Sequence, residues 1–515
     1  MRASPPHELA AWRRLAKLAE PRTGSRPSHV PNSLRLGPLL VDYSKQGIDK
    51  PVAGALADLA AQSGLESAIA ALFSGDPVNR TEDRAALHTS LRAHDCPDEV
   101  RRERDRFLDV AERVRSGEYR GYTAKAIDTV VAIGIGGSQL GPELVVDALA
   151  RSSGTAPEIR FLANVDGTAA TSALAGLDPA TTLVILISKS FTTLEMRVNA
   201  AAARSWFLER TCEANALARH FLAVTANEDA AAEFGVAGEH RFRMWDWVGG
   251  RFSLWSAAGL PIAIALGRDG FESLLAGARQ VDDHFRSTPF ERNIPVLLAL
   301  LQVWNTNFHG AASHALLVYD NRLKLLPDHL QQLEMESNGK SVRNDGQPTE
   351  THTAPIVWGG EETNGQHAFH QLLHQGTRAF SADLIACVDP GHDLEAHHDW
   401  LLANCLAQSE AMLLGREGEA TAPHRRVKGG NPTTTILLDE LDARSLGALL
   451  ALYEHKVFCL GTLWQINPFD QWGVELGKEL AGPIHGELIE GSQRGGNPAT
   501  AELIEAIKRA RNARP

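Results

Sequence analysis

Residues 182–193 read TLVILISKSFTT. The first part, 182–188, is an unbroken apolar run ending on Ser188, the pattern of a strand buried on both faces of a parallel sheet. Four hydroxyls (Ser188, Ser190, Thr192, Thr193) and the Lys189 ammonium then fall within six residues, and a helix opens at once with Leu194 and Glu195. Capping a helix uses one hydroxyl. The surplus hydroxyls, the helix N-terminus and one cation suit a phosphate monoester. A single lysine among several hydroxyls fits one terminal phosphate better than a triphosphate with magnesium.

Outward from this stretch the same alternation repeats. Runs at 129–135 (TVVAIGI), 159–165 (IRFLANV) and 221–225 (FLAVT) read as further parallel strands with helices between them, which predicts a doubly wound α/β layer. A second series, at 315–319, 354–358, 384–388 and 434–438, follows a helical stretch near 294–308. The expected organisation is an N-terminal helical cap and arm over 1–100, broken by the Pro/Ser/Gly-bearing stretch 21–38. A first α/β domain over 101–270, a second over 271–469 and a helical C-terminal segment over 470–515 follow. The boundary between the α/β domains is expected near 267–271.

A chain of 515 residues exceeds what one core usually serves. Lys+Arg 51 against Asp+Glu 63 gives a net charge of -12, which argues against nucleic acid or an anionic membrane as partner. No apolar run is read as reaching the roughly 20 residues that span a bilayer, and the N-terminus carries charges where a secretory signal needs an apolar core. Cys96, Cys212, Cys387, Cys405 and Cys459 are scattered without a CxxC, so neither a zinc ribbon nor a disulfide framework is expected, and a cytoplasmic location is.

Further candidates lie at strand ends and on polar helices. Gly134, Gly136, Gly137 and Ser138 end the 129–135 run just before a helix near Pro142, where open α/β sheets gather ligands. The spacing is neither a Walker loop nor GxGxxG, so a nicotinamide cofactor has little support, and by itself the loop is as well explained as a plain tight turn. Gln332 and Glu336 stand at i, i+4 before Gly339. Such a carboxylate can serve as a general base, or the run can be a solvated polar face. His367 opens a helix after a strand, and His367, His370 and His374 fall on one helical face. No accompanying Cys, carboxylate or HExxH supports a metal site there, and hydrogen bonding of His370 and His374 at an interface is the alternative. His397 and His398 read as a surface pair. Gln471 and Lys478 are seven apart, hence on one helical face, where Gly473 and Gly477 imply a close neighbour. Arg251, after Gly249 and Gly250, can reach a ligand oxyanion or form a buried ion pair.

Taken together, NRTEDRAALH from Asn79, GIGGSQLGP from Gly134, SKSFTTLE from Ser188, WDWVGGRFSLWSAAGL from Trp245, QQLEMESNGKS from Gln331, TNGQHAFHQLLHQGT from Thr363 and FDQWGVELGK from Phe469 closely resemble the glucose-6-phosphate isomerase (phosphoglucose isomerase) family, in the family's order. The resemblance implies two sugar-isomerase (SIS-type) α/β domains, a homodimer, and cofactor-free, metal-free interconversion of glucose 6-phosphate and fructose 6-phosphate. It implies that Ser188, Lys189, Ser190 and Thr193 hold the phosphate, and that Gly137, Ser138, Gly250, Gln332 and Gln471 line the sugar site. By the same resemblance Glu336 is the base, Arg251 stabilises the cis-enediolate, and Lys478 and a His367 donated by the other subunit assist ring opening. The chain departs from the family pattern at Met196, at Glu362 (usually Gly), at Pro468 and at His370. Rival readings are an isomerase of a related sugar phosphate, a non-catalytic sugar-phosphate sensor on the same fold, and a dehydrogenase, whose glycine fingerprint is missing.

Overall fold

The computed structural model describes residues 4–20, 31–150, 156–211, 216–416, 418, 421–490 and 496–513. Part of the expected arm (21–30) and Cys212 lie outside them. Met1–Phe469 forms one compact unit and Asp470–Pro515 a second.

The strands of the first unit are β1 (Ser33–Leu36), β2 (Leu39–Lys45), β3 (Thr129–Ile133), β4 (Glu158–Leu162), β5 (Thr182–Ile187), β6 (Phe221–Thr225), β7 (Arg241–Arg243), β8 (Ser313–Tyr319), β9 (Ile356–Glu361), β10 (Phe380–Cys387) and β11 (Thr433–Leu438). One sheet has the order β4-β3-β5-β6-β7, all parallel. Every residue of β3, β5 and β6 is buried, because helices cover both faces, and this is why these segments read as apolar runs without alternation. The other sheet runs β1-β2-β11-β10-β8-β9. Its four later strands are parallel.

That second sheet corrects the expectation of a purely helical cap and arm. Residues 33–45 turn back on themselves as an antiparallel hairpin, and β2 pairs antiparallel with β11, Val41 opposite Ile436. An N-terminal segment thus completes a sheet whose other strands lie some hundreds of residues away, and the sheet is mixed. The strand expected at 354–358 starts at Ile356 and continues to Glu361, so the functional loop after it begins later than the apolar run suggested.

The expected boundary at 267–271 falls inside one long helix, Leu260–Ser287, which is kinked where Gly267 takes φ 80°. Polar groups freed by the kink find partners. The Arg268 N–H donates to Glu112 Oε1 at 2.7 Å, and Arg115 donates to the carbonyls of Ile264 and Ala265 at 2.6 and 2.8 Å. This helix crosses Ala443–Leu463 at very close range. A Cβ on Gly277 would stand 1.8 Å from the Arg444 carbonyl oxygen, and one on Gly447 2.0 Å from that of Leu274, so both positions require glycine.

By length and composition Ala443–Leu463 could cross a membrane, contrary to the sequence reading, but it lies in the protein core. Its central Glu454, His455 and Lys456 are buried and paired. Arg92, fully buried, grips Asp282 at 2.7 and 2.8 Å and Glu454 at 2.6 Å; His455 meets Asp282 at 2.6 Å, and Trp255 donates to Glu454 at 2.7 Å. Burial alone would raise the Asp282 carboxyl, but Arg92 and His455 outweigh it and hold it at about 2. Trp255 belongs to the same segment as Arg251, so this network anchors one wall of the site described below.

His329, in the helix Leu326–Gln331, is buried with neither ring nitrogen partnered among the described residues. Burial alone pushes it down from 6.5 to about 4. A folded-state value below the unfolded one means that its contribution to stability is full above pH 6.5 and is lost as pH falls toward 4. From pH 7 to pH 5 the loss from this one ring comes to about 2 kcal/mol. Urea unfolding at both pH values should therefore show a drop about 2 kcal/mol smaller in His329→Leu. Equal drops in variant and parent would mean that the ring is already solvated in the native state.

Candidate active site

The hydroxyl loop after β5 is built as the sequence implies. Ser188 Oγ accepts the Phe191 N–H at 3.1 Å and lies 3.5 Å from Thr193 Oγ1, while Ser190 Oγ accepts the Thr192 N–H at 3.2 Å. Phe191 is buried and takes φ 60° to close the turn. Thr193 precedes the helix Leu194–Thr211 and its carbonyl accepts the Arg197 N–H at 3.0 Å. The hydroxyls therefore stand at the N-terminal end of a helix, the end that favours an anion.

Lys189 also reaches the neighbouring segment. Its ammonium donates to the carbonyl oxygens of Asp246 at 2.6 Å and Val248 at 3.1 Å. Burial lowers its pKa, with Asp246 opposing the shift. The ammonium thus ties the hydroxyl loop to the chain that leads to Gly250 and Arg251. The residue still brings its backbone to the loop, where the carbonyl of Lys189 accepts the Ala226 N–H at 3.0 Å.

Gly137 and Gly250 meet where the first sheet ends. A Cβ on Gly137 would fall 2.0 Å from the Gly250 carbonyl oxygen and 2.5 Å from the Arg251 nitrogen, so only glycine allows the two turns to stack. Ser138 is half-buried beside them. Arg251 is 3% exposed and fully committed. Its Nε donates to Ser337 Oγ at 2.6 Å, one terminal nitrogen to Glu336 Oε2 at 3.1 Å and the other to the Pro468 carbonyl at 2.6 Å.

Glu336 lies on a π-helical turn, Gln332–Glu336, that follows the helix Leu326–Gln331; such widened turns recur at functional sites. Gln332 Nε2 donates to the same Oε2 at 3.0 Å. Oε2 is therefore held from two sides, and Oε1 has no partner among the described residues. That leaves Oε1 as the oxygen able to take up and release a proton. Lys340 donates to the carbonyls of Glu336 at 2.8 Å and Ser337 at 2.7 Å, closing the end of the helix as a C-terminal lysine can. Sequence reasoning missed Ser337 and Lys340, although both stand in the QQLEMESNGKS block and Lys340 is one turn from Glu336.

His367 ends a 3-10 turn, Asn364–His367, and is exposed; it makes no hydrogen bond to Glu336 or Arg251 among the described residues. His370 begins the next helix, so the three histidines do not share one helix. His370 and His374 both meet Gln408, at 3.1 and 2.8 Å. His398 is buried and meets the Val388 carbonyl at 2.9 Å, which corrects its reading as a surface residue.

In the second unit Gln471 precedes the short turn Trp472–Val474, and the helix with Lys478 starts only at Glu475. The two therefore do not share one helical face. A Cβ on Gly473 or Gly477 would meet nothing within 4 Å among the described residues. Lys478 is exposed and pairs with Glu475 at 2.8 Å.

Parallel α/β sheets, a hydroxyl-rich loop at a strand end and a carboxylate held by a buried guanidinium accord with one class, the sugar-phosphate isomerases, and similarity to known proteins places the chain there. The family model for phosphoglucose isomerase matches residues 42–504. Among curated proteins, the glucose-6-phosphate isomerase of Paraburkholderia phytofirmans is 50% identical over 469 residues, covering 88% of this chain and 86% of its own length. The enzyme of the same name from Marinomonas sp. is 46% identical over 499 residues, 91% of each chain. A crystal structure of a glucose-6-phosphate isomerase from Chlamydia trachomatis superposes with a TM-score of 0.86 at 32% identity, covering 98% of this chain and 100% of that one. The chain belongs to the phosphoglucose isomerase family.

Proposed function

We propose that this site interconverts glucose 6-phosphate and fructose 6-phosphate. The observation that carries the reading is Glu336, with Oε2 clamped by Arg251 and Gln332 and Oε1 left for a proton. In the opened aldose the C2 proton lies α to a carbonyl. Glu336 removes it, the electron pair moves to the carbonyl oxygen, and the cis-enediolate that forms is stabilised by the Arg251 cation. The hydroxyl proton of O2 passes to O1, Glu336 returns its proton to C1 as the C2 carbonyl forms, and the ketose results. Carbon oxidation at C2 balances reduction at C1 within one molecule, so no external electron carrier is needed.

The loop of Ser188, Ser190 and Thr193, with the backbone of Lys189, receives the phosphate and supplies binding energy away from the reacting carbons. Gly137, Ser138, Gly250 and Gln332 line the sugar, with Gly137 and Gly250 keeping the two turns close. The family pattern gives Gln471 a share in the lining and Lys478 a share in ring opening. His367 opens the ring from a second copy of the chain in a homodimer; its exposure supports that reading. A cytoplasmic location accords with Cys96, Cys387, Cys405 and Cys459, which are buried free thiols.

The test is a coupled assay on the purified chain. Fructose 6-phosphate should be converted to glucose 6-phosphate with no added metal or nucleotide. Turnover of an amino-sugar or mannose phosphate, with none of fructose 6-phosphate, would move the chain to a related isomerase.

A further inference from the structure

Two of the chain's departures from the family pattern, Glu362 and His370, turn out to face each other. The Glu362 carboxylate is completely enclosed, and its Oε1 stands 2.9 Å from His370 Nε2. The other ring nitrogen, Nδ1, meets Gln408 Oε1 at 3.1 Å. His370 thus has an oxygen within hydrogen-bond distance of each ring nitrogen, Glu362 on one side and Gln408 on the other. Leaving one member of such a buried polar pair without its partner is costly, and none of its members belongs to the reaction proposed above.

What the pair holds is the turn that carries His367. Glu362 Oε2 accepts the backbone N–H of Gln366 at 3.0 Å, the residue directly before His367. Between them, a Cβ on Gly365 would lie 2.4 Å from Glu362 Oε1, so the turn is pressed flat against the carboxylate. Gln408, which fixes His370, lies on the long helix Glu395–Leu414 and thereby anchors the pair to the second sheet's covering layer. Gln366 Nε2 ties the same turn to that helix by donating to Asn404 Oδ1 at 3.2 Å, so the Glu362 carboxylate shares the hold on it. The geometry points to Glu362 and His370 as positioning residues for His367: together they fix the backbone from which that imidazole projects. The inference rests on the part in ring opening given to His367 above.

A kinetic double-mutant cycle tests it. Glu362→Gln keeps the shape and removes the charge. Acting through His367, it should lower kcat/KM for glucose 6-phosphate about tenfold in the parent, yet change it less than about twofold in a His367→Ala background. Inhibition by a competing sugar phosphate should be the same in parent and Glu362→Gln. An equal loss in both backgrounds, or no loss in a folded Glu362→Gln enzyme, overturns the inference while leaving His367 in its role. A harmless His367→Ala overturns the role itself, and the inference with it. If Glu362→Gln does not fold, the paired variant Glu362→Met/His370→Phe, which removes both polar partners together, enters the same cycle with the same expected outcome.

Discussion

Replacement of Glu336 by Gln is expected to lower kcat by at least ~10²-fold, about 2.7 kcal/mol in barrier, while KM stays near that of the parent. The side-chain amide has nearly the shape of the carboxylate. Its oxygen can take the place of Oε2 and keep the hydrogen bonds from Arg251 and Gln332, which stand at 3.1 and 3.0 Å. What disappears is the second oxygen, the only atom of the group left to accept a proton. Loss in kcat without loss of substrate affinity is the signature of an interaction made only on the way to the transition state. The same variant should stop exchange of the C2 proton with solvent deuterium. A kcat within a few-fold of the parent, or exchange at the parental rate, would place the base elsewhere.

That prediction could be framed from sequence because the QQLEMESNGKS block resembles the family's, while the i, i+4 spacing of Gln332 and Glu336 by itself suited a solvated polar face as well. The buried strands β3, β5 and β6 were legible from short-range pattern, as was the hydroxyl loop after β5. Contacts across the chain were not. Nothing within residues 33–45 says that β2 will pair with β11 nearly four hundred positions away. Nor does the SKSFTT stretch say that the Lys189 ammonium will reach the carbonyls of Asp246 and Val248. A lysine beside four hydroxyls reads as a phosphate ligand, while the carbonyls that the half-buried ammonium meets come from a segment nearly sixty positions away and are set by the fold.

The close approaches have the same origin. Gly137 looked like a ligand-facing glycine, yet the nearest obstacle to a side chain there is the Gly250 carbonyl. Glu362 and His370 looked like unrelated departures, eight positions apart, until the fold set them 2.9 Å from each other. In each case the residue type was readable and its partner was not, since the partner is chosen by tertiary packing rather than by local pattern.

Mixing two impaired variants tests the shared site in a dimer. If His367 serves the neighbouring subunit, Glu336→Gln and His367→Ala homodimers each retain only a small residual activity, with both sites impaired. In a mixed dimer one site receives both lesions and the other receives neither. With free exchange about half of the dimers are mixed, each with one intact site of two, so recovery should approach roughly a quarter of the parental activity. Each variant must first be shown to remain a folded dimer, by light scattering and circular dichroism. The exposed position of His367 makes it available to another chain, whereas Arg251 and Gln332 already hold Glu336 from within its own subunit. Proven mixed dimers with no recovered activity would mean that Glu336 and His367 act on the same subunit's substrate. Exchange would then only dilute two lesions of one site, and the donation of His367 across a dimer would be wrong.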